Sequence, residues 1–152
     1  MNEDYARCEA EFDGLPGLSA MAKEKYQKAL VAYRGEIDRL ETGIHLIEYK
    51  DSVKTAFAYM NKTFQTKLNP KSRKNITGWR LFQIVFIVSM LAEAVRSEYR
   101  EDATISVADL DVANLLYFPT GGGKTEAFLG ITVFTMFFDR LRGKNQGITA
   151  FL

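Results

Sequence analysis

The most regular pattern along the chain is a seam of apolar positions spaced alternately four and three residues apart. This spacing is typical of one face of a long α-helix, and it predicts a helix over residues 19–50 with Ser19 as its N-cap. Gly35 and Gly43 are expected to weaken that helix locally. The seam favours a core between helices of one chain, with a coiled-coil dimer as the alternative. Its members are Tyr26, Leu30, Tyr33, Ile37, Leu40, Ile44 and Ile47.

Three other segments of the N-terminal two-thirds have helical patterns. Residues 1–18 predict a short helix that ends in a loop rich in glycine and proline. Residues 51–68 continue the four-three spacing, and Pro70 ends that helix. Residues 79–99 are apolar on nearly all sides through their first half. They therefore predict a single buried helix.

The C-terminal third has a different pattern. Residues 113–118 are apolar on both faces except for one asparagine, as in a buried parallel strand. A glycine-rich loop follows, and then a helix is predicted over residues 125–141. Residues 147–152 look like the start of a second strand. The order predicts a β-α-β unit with parallel strands, and an end inside an apolar segment suggests a piece of a longer protein.

Composition limits the class of protein. Hydrophobic residues make up 47% and charged residues 26%, with a net charge of +1, which is typical of a globular domain. Cys8 is the one cysteine, so an internal disulfide is excluded. The apolar runs are too short to span a bilayer, and no signal peptide is visible. We expect a cytoplasmic protein with no membrane partner.

A basic stretch runs from the end of the helix predicted over residues 51–68 to the start of the one predicted over 79–99. Its residues could contact nucleic-acid phosphates, but a solvated loop is the favoured interpretation. Residues 62–80 contain no acid and carry Lys62, Lys67, Lys71, Arg73, Lys74 and Arg80.

The glycine-rich loop predicts a phosphate site. Residues 119–125 read Pro-Thr-Gly-Gly-Gly-Lys-Thr, between an apolar segment and a predicted helix. Consecutive glycines let backbone N–H groups approach an anion, and the helix that follows adds its positive end. Phe118 stands where the common P-loop pattern has its first glycine. The alternative is a glycine-rich turn with an incidental lysine.

Each residue of this loop has an expected role. The Lys124 ammonium group should reach the β- and γ-phosphates of ATP, and the Thr125 hydroxyl should bind Mg²⁺. The backbone N–H groups expected on the phosphates belong to Gly121, Gly122 and Gly123.

The loop resembles motif I of superfamily 2 helicases, some of which, including the RecQ-like group, also lack the first glycine. Upstream, Trp79-Arg80-Leu81-Phe82-Gln83 resembles their aromatic-Arg-x-x-Gln element, which binds adenine. The resemblance implies that Gln83 selects adenine by hydrogen bonds to the N6 and N7 edge of the base, with Trp79 and Arg80 near the adenine ring. The alternative for Gln83 is a buried amide with a local partner.

A closer resemblance is to the large helicase-like subunit of the DISARM anti-phage systems. It is most specific at residues 79–83 and 114–130. It implies a helical N-terminal region at residues 1–78, followed at 79–152 by the incomplete start of a RecA-like ATP-binding domain with a parallel sheet. It also implies nucleic acid, DNA rather than RNA, and the protein subunits of a defence complex as partners.

We therefore expect the ATP-binding N-terminal part of a superfamily 2 DNA helicase-like ATPase. Beyond Lys124 the only acids are Glu126 and Asp139, and neither lies where a Mg²⁺-binding carboxylate is needed. Because of this, no catalytic residue is assigned, and the chain alone is not expected to hydrolyse ATP efficiently. The alternatives are a helical interaction module with a vestigial P-loop and a small P-loop kinase or GTPase.

Overall fold

The computed structural model describes residues 1–13, 17, 19–67, 78–96, 98, 99, 101, 102 and 123–146. Within these residues the secondary structure is helical. The helices are α1 (Asn2–Asp13), α2 (Ala20–Tyr49), α3 (Asp51–Lys67), α4 (Leu81–Ser89), α5 (Leu91–Val95) and α6 (Lys124–Leu141).

The parallel sheet predicted from the sequence was wrong. No strand occurs in the described part of the chain, and α6 packs against α3, α4 and α5 where a β-P-loop-α-β unit would place it on a sheet. The apolar stripe of α6 is buried by other helices, and an amphipathic pattern does not reveal which kind of element covers it. The segments predicted as strands, 113–118 and 147–152, lie outside the described residues.

The long helix predicted from the apolar seam is confirmed as α2. Ser19 Oγ accepts a hydrogen bond from the N–H of Ala22, as expected of an N-cap. Helix α1 covers the first half of the seam. The ring of Phe12 stacks on Tyr26 at 4.7 Å between centroids, and Tyr5 meets Tyr33 edge-on at 5.9 Å. In this half of α2 the seam therefore packs against another helix of the same chain.

The second half of α2 departs from the predicted seam. Ile44 is 44% exposed, whereas Gly43 and Leu46 are buried. The four-three spacing of the predicted seam assumes 3.5 residues per turn, whereas an ideal helix has 3.6. Over several turns the predicted positions therefore rotate away from the buried side of the helix. The backbone of α2 at Gly43 instead lies directly against Val88 of α4.

One core joins helices from both sides of residue 78. Its buried members are Leu46, Val53, Ala56, Met60, Ile87, Val88, Leu91, Ala92, Val95, Phe134 and Phe138.

The prediction of one continuous helix over residues 79–99 was wrong. The helix is divided at Met90, whose N–H is shared between the carbonyls of Phe86 and Ile87. No helix among the described residues is both long and apolar enough to cross a bilayer.

Lys50 is the single residue between α2 and α3, and its side chain contacts residues that follow α5. Its Nζ donates a hydrogen bond to Asp102 Oδ2 and lies 5.1 Å from the centroid of the Tyr99 ring. The hydrogen bond with Asp102 raises the pKa of Lys50 above its usual value, and this outweighs the lowering by partial burial.

This pKa shift predicts a loss of stability at alkaline pH. A raised lysine pKa contributes stability below the unfolded-state value of about 10.4, and the contribution disappears as pH rises through the folded-state pKa. The melting temperature of the wild type should therefore exceed that of Lys50→Met at pH 8, and the difference should shrink above about pH 10.4 and disappear above the folded-state pKa. Thermal unfolding followed by circular dichroism from pH 8 to 11.5 measures this. A constant difference between the two proteins would contradict it.

Candidate functional site

The side-chain amide of Gln83 connects the first turn of α4 to the start of α6. Its Oε1 accepts from the N–H of Arg80 at 2.8 Å, and its Nε2 donates to the carbonyl oxygen of Gly123 at 2.8 Å. One partner is a donor and the other an acceptor, so the orientation of the amide is determined by its surroundings. The side chain is 6% exposed. A buried amide thus joins two segments that lie 40 residues apart in the sequence.

Gly123 is required at the start of α6 for two reasons. Its φ of +92° lies in the left-handed region, where a side chain is strained. A Cβ at this position would also lie 2.6 Å from Gln83 Nε2, closer than van der Waals contact allows. The glycine predicted from phosphate chemistry therefore also permits the close approach of Gln83.

The residues after Gly123 form the first turn of α6. Lys124 is half-buried, and Thr125 is exposed at the second helical position. The first N–H groups of a helix have no partner within it and carry its positive end. Among the predicted phosphate ligands, Gly121 and Gly122 lie outside the described residues. The described part of the motif thus presents a lysine and a hydroxyl at a helix N-terminus.

Trp79 packs between α3 and α6. Its Nε1 donates to Asn61 Oδ1 at 2.8 Å, and its ring lies 4.5 Å from that of Phe64, centroid to centroid. A Cβ on Gly130 of α6 would lie 3.1 Å from Trp79 Cη2, so the small residue makes room for the indole. Arg80 next to it is exposed and is the N-cap residue of α4.

The donor set suits a magnesium ion that arrives with phosphate. Among the described residues, no group of three or more His, Cys, Asp or Glu side chains could hold a metal. Mg²⁺ commonly keeps several waters and takes phosphate oxygens with one or two protein ligands. The exposed Thr125 hydroxyl can supply one such ligand. The residues fit Mg²⁺ bound as a nucleotide complex better than a metal held by protein alone.

Two contacts of this site were not predicted. Asn61 is followed directly by two other polar residues, and nothing in its sequence surroundings distinguishes it from an exposed asparagine. The carbonyl of Gly123 as a partner of Gln83 was also missed, because it depends on how α4 and α6 pack. The local partner considered for Gln83 does exist, and it is the N–H of Arg80.

Fold and site together describe a helical domain in which a Gly-Lys-Thr segment begins a packed helix and is bonded to an upstream glutamine. No protein-family model matches the sequence, and no solved structure matches it. The chain is 30% identical over 157 residues to DISARM protein DrmA of Bacillus paralicheniformis. The match covers 93% of this chain and 13% of that relative. The expected relationship to a DISARM protein is confirmed, and the helicase superfamily stays a prediction.

Proposed function

We propose that this chain is the ATP-binding part of a helicase-like ATPase that acts in bacterial defence against phages. The hydrogen bond between Gln83 and Gly123 is the observation that carries the proposal. The two segments that resemble helicase nucleotide-binding elements are distant in sequence, and this bond puts them in contact. The relationship to DISARM protein DrmA supports the role in defence.

The phosphates would bind at the start of α6. Backbone N–H groups at a helix N-terminus, preceded by consecutive glycines, provide several donors for one anion. Lys124 is half-buried as a residue, and its ammonium group would contact the β- and γ-phosphates. The Thr125 hydroxyl would bind the Mg²⁺ that bridges the phosphate oxygens.

The base would lie on the Gln83 side of this site. A glutamine amide has two N–H donors and two acceptor lone pairs on its carbonyl, and the contacts to Arg80 and Gly123 use one of each. The remaining pair matches the N7 acceptor and N6 donor of adenine. Guanine presents two acceptors on that edge and would leave the second lone pair of the glutamine oxygen without a donor. We therefore propose ATP as the nucleotide, with Trp79 and Arg80 beside the base.

The wider function rests on a longer protein of the DrmA type. This chain spans 13% of that relative's length. We propose that other parts of such a protein supply the Mg²⁺-binding acid and the arginines that ATP hydrolysis needs. ATP turnover would then drive movement along DNA, in company with other protein subunits of the defence complex.

A second candidate is a helical interaction module whose P-loop has lost its ligand. The packing of Trp79 and Gln83 favours it, since both side chains already have partners inside the protein. Such a module would bind no nucleotide, so ATP binding separates the two functions.

Lys124→Ala is expected to weaken ATP binding about 10- to 100-fold, because a hydrogen bond to a charged group contributes about 1.5–3 kcal/mol. Trp79 is the only tryptophan of the chain. Its fluorescence therefore provides a local signal for titration with Mg²⁺-ATP. The matched control is Lys28→Ala on α2, which removes an exposed lysine paired with Glu24 and should leave the affinity unchanged. If the wild type does not bind ATP, or if Lys124→Ala binds it normally, the proposal is wrong.

A further inference from the structure

The Gln83 amide does more at this site than face a base. Its Nε2 donates to the carbonyl of Gly123, the residue on which α6 begins, and its Oε1 is held by the N–H of Arg80. With both ends of the amide bonded and 6% of the side chain exposed, its position is restricted by the protein itself. It links the phosphate segment to the body of the helical core through α4.

The direction of one phosphate donor follows from this contact. The peptide bond between Gly123 and Lys124 is trans and planar, so the N–H of Lys124 points opposite to the carbonyl of Gly123. A donor that holds the carbonyl therefore also fixes the orientation of that N–H. It is the first N–H of α6, and the first N–H groups of a helix are the ones that can donate to an acceptor outside it.

The left-handed conformation of Gly123 makes such a restraint important. A glycine has access to a larger range of backbone conformations than other residues, and φ near +90° is only one of them. Ordering this residue only when ligand binds would cost conformational entropy, and that cost would reduce affinity. The bond from Gln83 restricts Gly123 before ligand arrives.

We infer that Gln83 is a positioning residue for the phosphates, in addition to its role toward adenine, and that it acts by holding the Gly123–Lys124 peptide in its binding orientation. This inference rests on the proposed function. It names a role that is independent of the base, because the contact to Gly123 exists whichever nucleotide is bound. A Cβ at position 123 would displace the Gln83 amide nitrogen from this contact, so glycine at 123 permits it.

Inorganic tripolyphosphate, which has no base, tests the inference. Gln83→Met keeps the length of the side chain but removes both hydrogen bonds. It should weaken binding of Mg²⁺-tripolyphosphate to the full chain by about tenfold, and binding of ATP and GTP by at least as much. Isothermal titration calorimetry measures all three ligands. Gln83→Glu retains an acceptor for the N–H of Arg80 but turns an oxygen toward the Gly123 carbonyl, and it should weaken tripolyphosphate binding at least as strongly.

The control is Ser52→Ala, which removes the hydrogen bond to Tyr99 near the first turn of α3. It should lower thermal stability without changing the affinity for tripolyphosphate, so reduced stability alone does not account for weaker binding. Unchanged tripolyphosphate binding in folded Gln83→Met, with weaker ATP binding, would overturn the positioning role and leave ATP binding intact. A wild type that binds neither ATP nor tripolyphosphate would overturn the proposed function together with this inference.

Discussion

Gly43→Ala is expected to lower the free energy of unfolding by about 3 kcal/mol or more. A Cβ at position 43 would overlap the carbonyl oxygen of Val88 and lie 2.8 Å from its carbonyl carbon. Those atoms belong to the backbone of α4, so no change of side-chain rotamer relieves the overlap. Helices α2 and α4 would have to separate, and the core between Leu46 and Val88 would open.

Gly35 of the same helix provides the matched control. Among the described residues, apart from its chain neighbours and the backbone of its own helix, no atom lies within 4 Å of a Cβ placed there, and the residue is exposed. Gly35→Ala should raise stability by about 0.5–1 kcal/mol, because alanine loses less conformational entropy in a helix. Urea unfolding followed by circular dichroism measures both variants. Equal effects of the two substitutions would show that close approach at Gly43 does not govern stability.

Phe134→Ala is the second substitution with a large expected effect. Phe134 is 0% exposed and lies in the core, with its ring 6.0 Å from that of Phe138, centroid to centroid. Removing a buried phenyl ring from such a site costs about 3–5 kcal/mol through lost burial and the cavity left behind. The substitution should weaken the packing of α6 against α3 and α4. That packing positions the start of α6.

Phe128→Ala makes the same chemical change on the same helix. Phe128 is 36% exposed and meets Phe86 edge-on at 5.3 Å. Loss of the Phe128 ring should lower the free energy of unfolding by about 1 kcal/mol, which is the contribution of an aromatic pair in addition to its buried area. The midpoint of urea unfolding compares the two variants. A loss at Phe128 as large as at Phe134 would mean that the outer face of α6 is covered more fully than its exposure indicates.

Local chemistry was sufficient to predict the start of α2 and the end of α6. Ser19 offered a side-chain acceptor before a long apolar pattern, and α2 begins one residue later. The last helix was predicted to end at residue 141, and Gly143 follows Leu141 by two residues with φ of +81°. Capping depends on a few consecutive residues, which a sequence displays directly.

The partners of each helix could not be predicted in the same way. The apolar stripe of α6 fits burial against a sheet and burial against helices equally well, and the prediction of a sheet was wrong. Tertiary contacts also placed the buried face of α2 at Gly43 and Leu46, away from Ile44. Such choices depend on the shapes of surfaces from distant segments, and periodicity contains no information about those shapes.

The same division applies to the candidate site. The sequence by itself determined that a glycine, a lysine and a threonine would open a helix, because these are short-range properties of residues 123–125. Only the tertiary structure decided that Gln83 would bond to Gly123, since that contact requires α4 and α6 to pack together although the two residues are 40 positions apart. A chain specifies its local conformations residue by residue. The meeting of distant residues follows from the single packing that buries the apolar faces of all its helices together.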